Sequence, residues 1–466
     1  MECKSKNPRY PIQYEETEEY SMMQNEKFYF IQTYGCQMNQ SDSEHYAGQL
    51  EELGYHQTDE LSMADVILLN TCCVRETAED KTLGKIGELK HLKDQNPDLI
   101  IAVTGCMAQE WQDRLFKRAP HIDLVIGTHN IHTLIDLIKE RQQKKEHYLA
   151  SDMHEPAFHE LPAKRFQKFF AWIPIMNGCN NFCTYCIVPY VRGREVSRPV
   201  QAVVEEVRRV ADAGYKEITL LGQNVNSYGK DLSSHDDFAS LLRAVDEVEG
   251  IERIRYMTSH PKDMNYDAID AIAECHKVVN HMHLPIQCGN DGLLKKMNRG
   301  YTVDHYMDLV EYARKRIPDL VLTTDIIVGF PGETEEMFMD TLQFLKRCQY
   351  DMAYTFMYSP RTGTPAASME DQIPQEVKSN RLQRLMDVQN VYSLKKNQAM
   401  EHHVYDVIVE GPTKNDMNHW FGRTTGNKMI IWENDGSAAI GDTVPVMVDK
   451  GQTWVLKGHI VHESNV

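Results

Sequence analysis

The sequence predicts an α/β protein in three successive parts: a parallel α/β domain, a partial (β/α)6 barrel and a small all-β barrel. Two runs of strand patterns alternating with helical patterns predict the first two parts, because such alternation folds as parallel βα units. A terminal stretch rich in Val, Gly and Thr, carrying only short strand patterns, predicts the third. The length agrees, since 466 residues exceed what a single core holds.

Residues 1–25 are polar and acidic, with no apolar period, and are expected to form a flexible tail. From Lys27 the runs FYFIQT, DVILLN, LIIAVT and DLVIGT read as strands, separated by helical stretches such as SDSEHYAGQLEELG and ETAEDKTLGKIGELKHLK. They predict a Rossmann-like domain over residues 26–145, followed by a charged linker over 146–166. A second alternation runs through FFAWIPI, EITLLG, RIRYMT, HMHLPI, LVLTTDIIVG and MAYTFMY. Six βα units are too few for a closed eightfold barrel and suit an open one with a wide mouth at the strand C-termini, here residues 167–398. Residues 399–463 are the expected all-β module.

Composition is that of an ordinary soluble chain, with 42% hydrophobic and 25% charged residues. No apolar run approaches the roughly 18 residues that cross a bilayer. The first residues lack a basic stretch followed by an apolar one. The expected address is therefore the cytoplasm, with no membrane partner. In that reducing compartment, 11 cysteines are expected as thiols or metal ligands rather than disulfides. The net charge of −18 argues against a nucleic-acid partner, although a basic groove can sit on an acidic protein.

Three cysteines, Cys179, Cys183 and Cys186, lie within NGCNNFCTYCIVP after the first barrel strand, with the spacing C-x3-C-x2-C. A four-iron cubane normally takes four thiolates, so three close ligands leave one iron open to bind and reduce a substrate. A structural zinc site needs a fourth ligand, and none is adjacent. Buried thiols packing as small apolar groups are the third reading. Cys36, Cys72 and Cys106 recur at strand ends that precede helices, where the C-terminal edge of a parallel sheet gathers distant residues. Helix N-termini favour the thiolate. They predict a second three-ligand cluster site, with Cys73 beside Cys72 as an alternative ligand. Cys3, Cys275, Cys288 and Cys348 have no partner at metal-like spacing.

The C-x3-C-x2-C loop resembles that of the radical S-adenosylmethionine (SAM) superfamily. The resemblance implies that the open iron chelates the amino and carboxylate groups of SAM, whose reductive cleavage gives a 5′-deoxyadenosyl radical. Tyr185 fits the aromatic favoured before the third cysteine. LLGQNVNSY, with Gly222 and Asn224, sits where the superfamily binds the methionine amino end, although it departs from the usual Gly-Gly-Glu. His260 in TSHP, and Gly329 and Gly332 in DIIVGFPGET, sit where strands reach the nucleoside; simple turn chemistry is the other reading of these glycines.

YGCQMN, NTCCVRETAE, TGCMAQ, GCNNFCTYCIVPYVRGREVSR, LPIQCGND, VGFPGET and YSPRTGTPAA together resemble the methylthiotransferase family from Lys27 to Val461. That family implies two 4Fe-4S clusters and two SAM molecules per turnover: one methylates sulfur on the auxiliary cluster, the other makes the radical, and a methylthio group replaces C–H. Its pattern points to Cys72, directly after Asn-Thr, rather than Cys73. The terminal module resembles a TRAM domain and implies RNA binding, with Lys414, Arg423 and Lys428 on backbone phosphates and Trp420 and Phe421 either stacking on bases or filling the core. Arg192, Arg194, Arg198 and Arg361 are further phosphate candidates near the barrel mouth, with salt bridging as the other reading of the first three. VEGPTKNDMNHWFGRTTGNK and GCQMNQSDSE resemble the branch that modifies isopentenyladenosine 37 of tRNA. The same chemistry on threonylcarbamoyl adenosine of tRNA or on a ribosomal-protein aspartate is the alternative, and a non-catalytic zinc and RNA-binding protein is the alternative of another class. The implied partners are tRNA, an electron donor of flavodoxin or ferredoxin type and a sulfur source, acting on a monomer.

Overall fold

The computed structural model describes residues 26–73, 76–153 and 158–462; the tail expected over residues 1–25 lies outside them. Strands β1 (Lys27–Thr33), β2 (Tyr55–Gln57), β3 (Val66–Thr71), β4 (Ile100–Gly105), β5 (Leu124–Ile126) and β6 (Tyr148–Ala150) form one parallel sheet in the order β2-β1-β3-β4-β5-β6. β3 and β4 are buried at every residue. Their alternate side chains feed two cores, Ile67, Leu69, Ile101 and Val103 on one face and Val66, Leu68, Ile100 and Ala102 on the other. Helices α1 (Gln37–Glu52), α2 (Glu76–Gln95), α3 (Cys106–Trp111), α4 (Arg114–Arg118) and α5 (Leu134–Lys144) complete the βα units. β6 falls within the stretch read as linker, and three residues are too short for a strand period to show.

The second unit begins with β7 (Phe170–Pro174) and a short antiparallel pair, β8 (Met176–Asn177) and β9 (Val196–Ser197), which brackets α6 (Val188–Val191). β10 (Glu217–Leu221) and β11 (Arg253–Tyr256) continue from β7 in parallel, and β12 (His281–His283), β13 (Val321–Val328) and β14 (Met352–Met357) form a second parallel set. A parallel bridge from Ile254 to Val278 joins the two sets, giving the expected six-stranded open barrel. Helices α7 (Val200–Asp212), α8 (Phe238–Asp246), α9 (Tyr266–Glu274), α10 (Asp291–Lys296), α11 (Val303–Arg316) and α12 (Glu335–Cys348) lie between its strands. Asp237, Asn265, Thr302 and Thr334 cap α8, α9, α11 and α12 by accepting from the third helical amide. One core runs from Ala171 to Leu385.

Helix α13 (Gln375–Gln398) leads to a closed barrel of β15 (Val404–Pro412), β16 (His419–Thr424), β17 (Met429–Glu433), β18 (Thr443–Gly451) and β19 (Leu456–Ile460), ordered β15-β16-β17-β19-β18. Val407, Val409, Ile430, Trp432, Val446, Val448 and Leu456 fill it. It is locked to the second unit by polar contacts. Arg253 Nη1 donates to the Arg423 carbonyl at 3.0 Å and Arg255 Nη2 to the Thr424 carbonyl at 3.1 Å.

Candidate functional site: two cysteine loops at one domain interface

Cys179, Cys183 and Cys186 all lie on the loop between β8 and α6, at the C-terminal end of the barrel. The loop is tied at both ends: the Cys179 amide donates to the Gly193 carbonyl at 3.1 Å and the Thr184 amide to the Met297 carbonyl at 3.1 Å. Burial pushes the Cys179 thiol up to about 11, and burial together with the nearby Cys183 pushes Cys186 up to about 12. Iron binding there would displace thiol protons. Arg299 supplies the compensating charge. It is 4% exposed, and its Nη1 lies 3.3 Å from Cys183 Sγ and 3.4 Å from the Tyr185 hydroxyl. His260 Nε2 is 3.9 Å from the same sulfur, and burial with Arg299 holds that imidazole far below its usual range, so it is neutral.

The barrel mouth carries buried polar atoms without partners. Gln223 Oε1 and Asn224 Oδ1 follow β10, Ser259 Oγ follows β11, Gln287 Oε1 follows β12 and Glu333 Oε1 follows β13. Orphaned acceptors at the ends of four strands around one mouth fit a bound polar molecule, since such atoms are costly unpaired. Asn224 is oriented by its amide, which donates to Asp263 Oδ2 at 2.7 Å, and Asp263 also pairs with Lys230. Gly222 stands on the same loop against Met176. Gly329 and Gly332 stand on the loop before α12, where the Gly329 amide donates to Glu333 Oε2 at 2.6 Å. Sequence reasoning missed Arg299, Asp263 and Glu333. Arg299 and Cys183 are 116 residues apart, and no spacing rule joins them. Among the described residues, no three His, Cys, Asp or Glu side chains converge as a single metal ion requires.

The other cysteines gather at the first sheet's C-terminal edge. Chain order reverses between the neighbours β1 and β3, so the loops after them part there and leave a crevice. Cys36 follows β1 as the N-cap of α1, and Cys72 follows β3. Cys106 opens α3 after Gly105, which has φ +87°; a Cβ there would lie 2.5 Å from both Asn70 Oδ1 and the Thr71 carbonyl. The Cys72 Cβ lies against Gly35, beside Cys36, whereas Cys73 packs with Cys106. The neighbouring Cys73 thiol, together with Arg192, holds the Cys106 thiol below its ordinary value despite burial. The segment Ile187–Arg192, directly after Cys186, joins the two sets of cysteines. Ile187 and Val191 pack with Cys73 and Cys106, and the Arg192 guanidinium meets Asp42 of α1 at 2.8 Å.

Residues 173–345 match the Radical SAM superfamily, residues 28–127 the Uncharacterized protein family UPF0004 and residues 398–461 the TRAM domain. The chain is 49% identical over 442 residues to the tRNA-2-methylthio-N(6)-dimethylallyladenosine synthase of Desulforamulus reducens, covering 94% of this chain and 96% of that one. It is 50% identical over 438 residues to the synthase of the same name from Acetivibrio thermocellus, covering 93% and 91%. The chain belongs to this synthase family. Membership makes it a radical SAM methylthiotransferase, whose radical domain takes SAM and a 4Fe-4S cluster. Its fold is similar to that of the radical SAM methyltransferase TsrM from Kitasatospora setae, solved with cobalamin and a 4Fe-4S cluster, at TM-score 0.55 and 14% identity over 73% of this chain and 77% of that one.

The basic residues expected to meet tRNA divide in this synthase-family chain. Arg192 and Arg198 are 3% and 4% exposed, which corrects the expectation of phosphate contacts. Arg198 bonds Glu206 and Glu160 at 2.5 and 2.9 Å, so both guanidiniums serve buried ion pairs. Lys428 is also corrected: it is buried against Asp351 at 2.8 Å and Asn397 Oδ1 at 2.7 Å, where it holds the terminal barrel in place. Trp420 packs against the barrel core. Phe421 is half-buried, Arg423 pairs with Glu410 at 3.0 Å, and Arg361 lies 4.0 Å from Glu79. Lys414 is exposed, as is Arg194, whose guanidinium lies 4.3 Å from the centre of the Phe182 ring. A surface aromatic was missed: Trp454, 57% exposed, lies between β18 and β19, near the exposed Lys450 and Lys457, which face each other across the strands.

Proposed function

We propose that this chain converts N6-isopentenyladenosine at position 37 of tRNA to its 2-methylthio derivative, using a radical cluster on Cys179, Cys183 and Cys186 and an auxiliary 4Fe-4S cluster on Cys36, Cys72 and Cys106. The observation that carries the reading is the contact between the two sets of cysteines: Ile187 and Val191, which follow Cys186, pack on Cys73 and Cys106. Radical generation and sulfur supply are thereby held at one interface, as a reaction that replaces C–H by a methylthio group requires. The roles fall to residues 26–145 for the auxiliary site, 167–398 for the radical core and 399–463 for RNA binding.

When bound, SAM and its cluster supply the radical that removes the adenine C2 hydrogen. The protein's own part is positional. Asn224, Gln287 and Glu333 offer acceptors to the cofactor, and Tyr185, Gly222, His260, Gly329 and Gly332 shape the walls around it. Arg299 donates to the Cys183 thiolate. The target adenosine turns out of the anticodon loop into the open mouth, a modest cost for a base that is not in a duplex. Lys450, Lys457 and Trp454 suit backbone and stacking contacts on the terminal barrel, with Lys414 and Arg194 as further phosphate contacts. The chain acts as a cytoplasmic monomer supplied by a flavodoxin or ferredoxin-type donor and a sulfur source.

Anaerobic reconstitution with iron and sulfide should give about eight irons per chain. Incubation with SAM, a reductant and isopentenylated tRNA should yield the 2-methylthio nucleoside by mass spectrometry. Product on threonylcarbamoyl adenosine or on a ribosomal-protein aspartate, with none on isopentenyladenosine, overturns the substrate assignment. One tightly held zinc in place of iron overturns the enzyme reading.

A further inference from the structure

Arg192 has no solvent to satisfy it, and its surroundings explain why it is there. Burying a guanidinium is costly unless nearly every donor is matched. Asp42 takes Nη2 at 2.8 Å, and Asn177 Oδ1 lies 3.4 Å from Nη1. Val191, the residue before it, packs against Cys106, and the charges of Cys106 and Cys36 act on the guanidinium. Arg192 belongs to the barrel, whereas Asp42, Cys36 and Cys106 belong to the first domain. A clamp between domains does not by itself require this arrangement. Arg165 already joins Glu44 of α1 to Glu206 of α7, and Thr128 Oγ1 donates to the Val191 carbonyl at 2.5 Å. What distinguishes Arg192 from those ties is its position at the thiols.

We propose that Arg192, held by Asp42, is a positioning residue that sets the reduction potential of the auxiliary cluster. The inference rests on the auxiliary-cluster reading above. A thiolate-ligated cluster becomes more negative on reduction, so a buried cation beside the ligand sulfurs stabilises the reduced form and raises the potential. The low-dielectric interface strengthens the effect. The Asp42 carboxylate opposes part of it. The two residues therefore act in opposite directions on the cluster, although they form one ion pair and share one packing role.

The test uses the full chain with Cys183→Ala, which removes a ligand of the radical cluster, and follows the auxiliary cluster by EPR during anaerobic redox titration. Arg192→Met should lower the midpoint, shifting the reduced-to-oxidised ratio at fixed potential by tenfold or more, equivalent to 59 mV for one electron. Asp42→Asn should raise it, and Arg192→Lys should stay within threefold of the parent. Thermal melts of the same proteins report packing damage, which both neutral variants share. If both neutral variants shift in the same direction, or if neither moves the ratio by threefold with four irons bound, the inference is overturned. If Arg192→Met fails to load iron, Asp42→Asn and Arg192→Lys decide: a lowered midpoint in Asp42→Asn, or a shift beyond threefold in Arg192→Lys, overturns it. A Cys183→Ala parent that binds no four-iron cluster instead sinks the auxiliary-cluster reading itself.

Discussion

At the residue scale, Arg299 has the most to lose. It is buried among Cys183, Tyr185, Tyr301 and the Pro285 carbonyl, all within 3.4 Å of its donors. Arg299→Gln removes the charge and one charge-assisted bond to sulfur, worth about 1.5–3 kcal/mol. 5′-Deoxyadenosine formation should fall roughly 10- to 100-fold, with iron content near that of the parent. Unchanged formation would show that Arg299 is only packing. The paired cysteines give a second prediction. Cys72→Ala should halve the iron to about four per chain, whereas Cys73→Ala should keep about eight, because Cys72 stands beside Cys36 while Cys73 packs in the apolar cluster with Ile187 and Val191. The reverse pattern would move the ligand to Cys73. The cysteines were legible in the sequence because their spacing and strand-end placement are local signals. Arg299 was not, because its role depends on a contact that only the folded barrel creates.

At the scale of elements, strand identity was legible wherever both faces of a strand are buried. β3 and β4 read as continuous apolar runs for that reason. The polar residues of α1 gave no sign of their burial. Asn39, Ser41, Asp42, Ser43 and Glu44 are buried, because this helix is covered by the barrel and its linker as well as by its own sheet. The basic residues misled in the same way: an arginine in a sequence looks identical whether it faces solvent or a carboxylate. The β18–β19 hairpin shows what exposure adds. Lys450 opposite Lys457 places like charges across a strand pair, which is unfavourable unless an anion uses them. Trp454→Ala should weaken tRNA binding by about 1–3 kcal/mol, the value of one stacked base. Lys450→Gln with Lys457→Gln should flatten the logarithmic salt dependence of binding by about two units. Filter binding across a salt series reads both, and an unchanged slope would place the RNA on another face.

At the scale of the whole molecule, the terminal barrel is a structural part of the radical SAM unit as well as the RNA module proposed above. Lys428 Nζ lies 2.8 Å from Asp351 Oδ1, with side chains only 10% and 7% exposed, and Arg253 and Arg255 donate to barrel carbonyls. Deleting the barrel would strand these buried charges, so loss of activity on truncation would not separate RNA binding from folding. A point variant separates them. Lys428→Met removes one partner of a buried pair and should cost about 3–5 kcal/mol of stability, read by urea denaturation. Lys428→Met with Asp351→Leu should recover part of that loss, because no charge is then left alone. The single variant, refolded below its transition, should still bind tRNA with the salt dependence of the parent. Recovery in the double variant identifies Lys428 as the joint between barrel and core. A stable single variant with a flattened salt slope would instead return Lys428 to the RNA surface, and with it the role its sequence suggested.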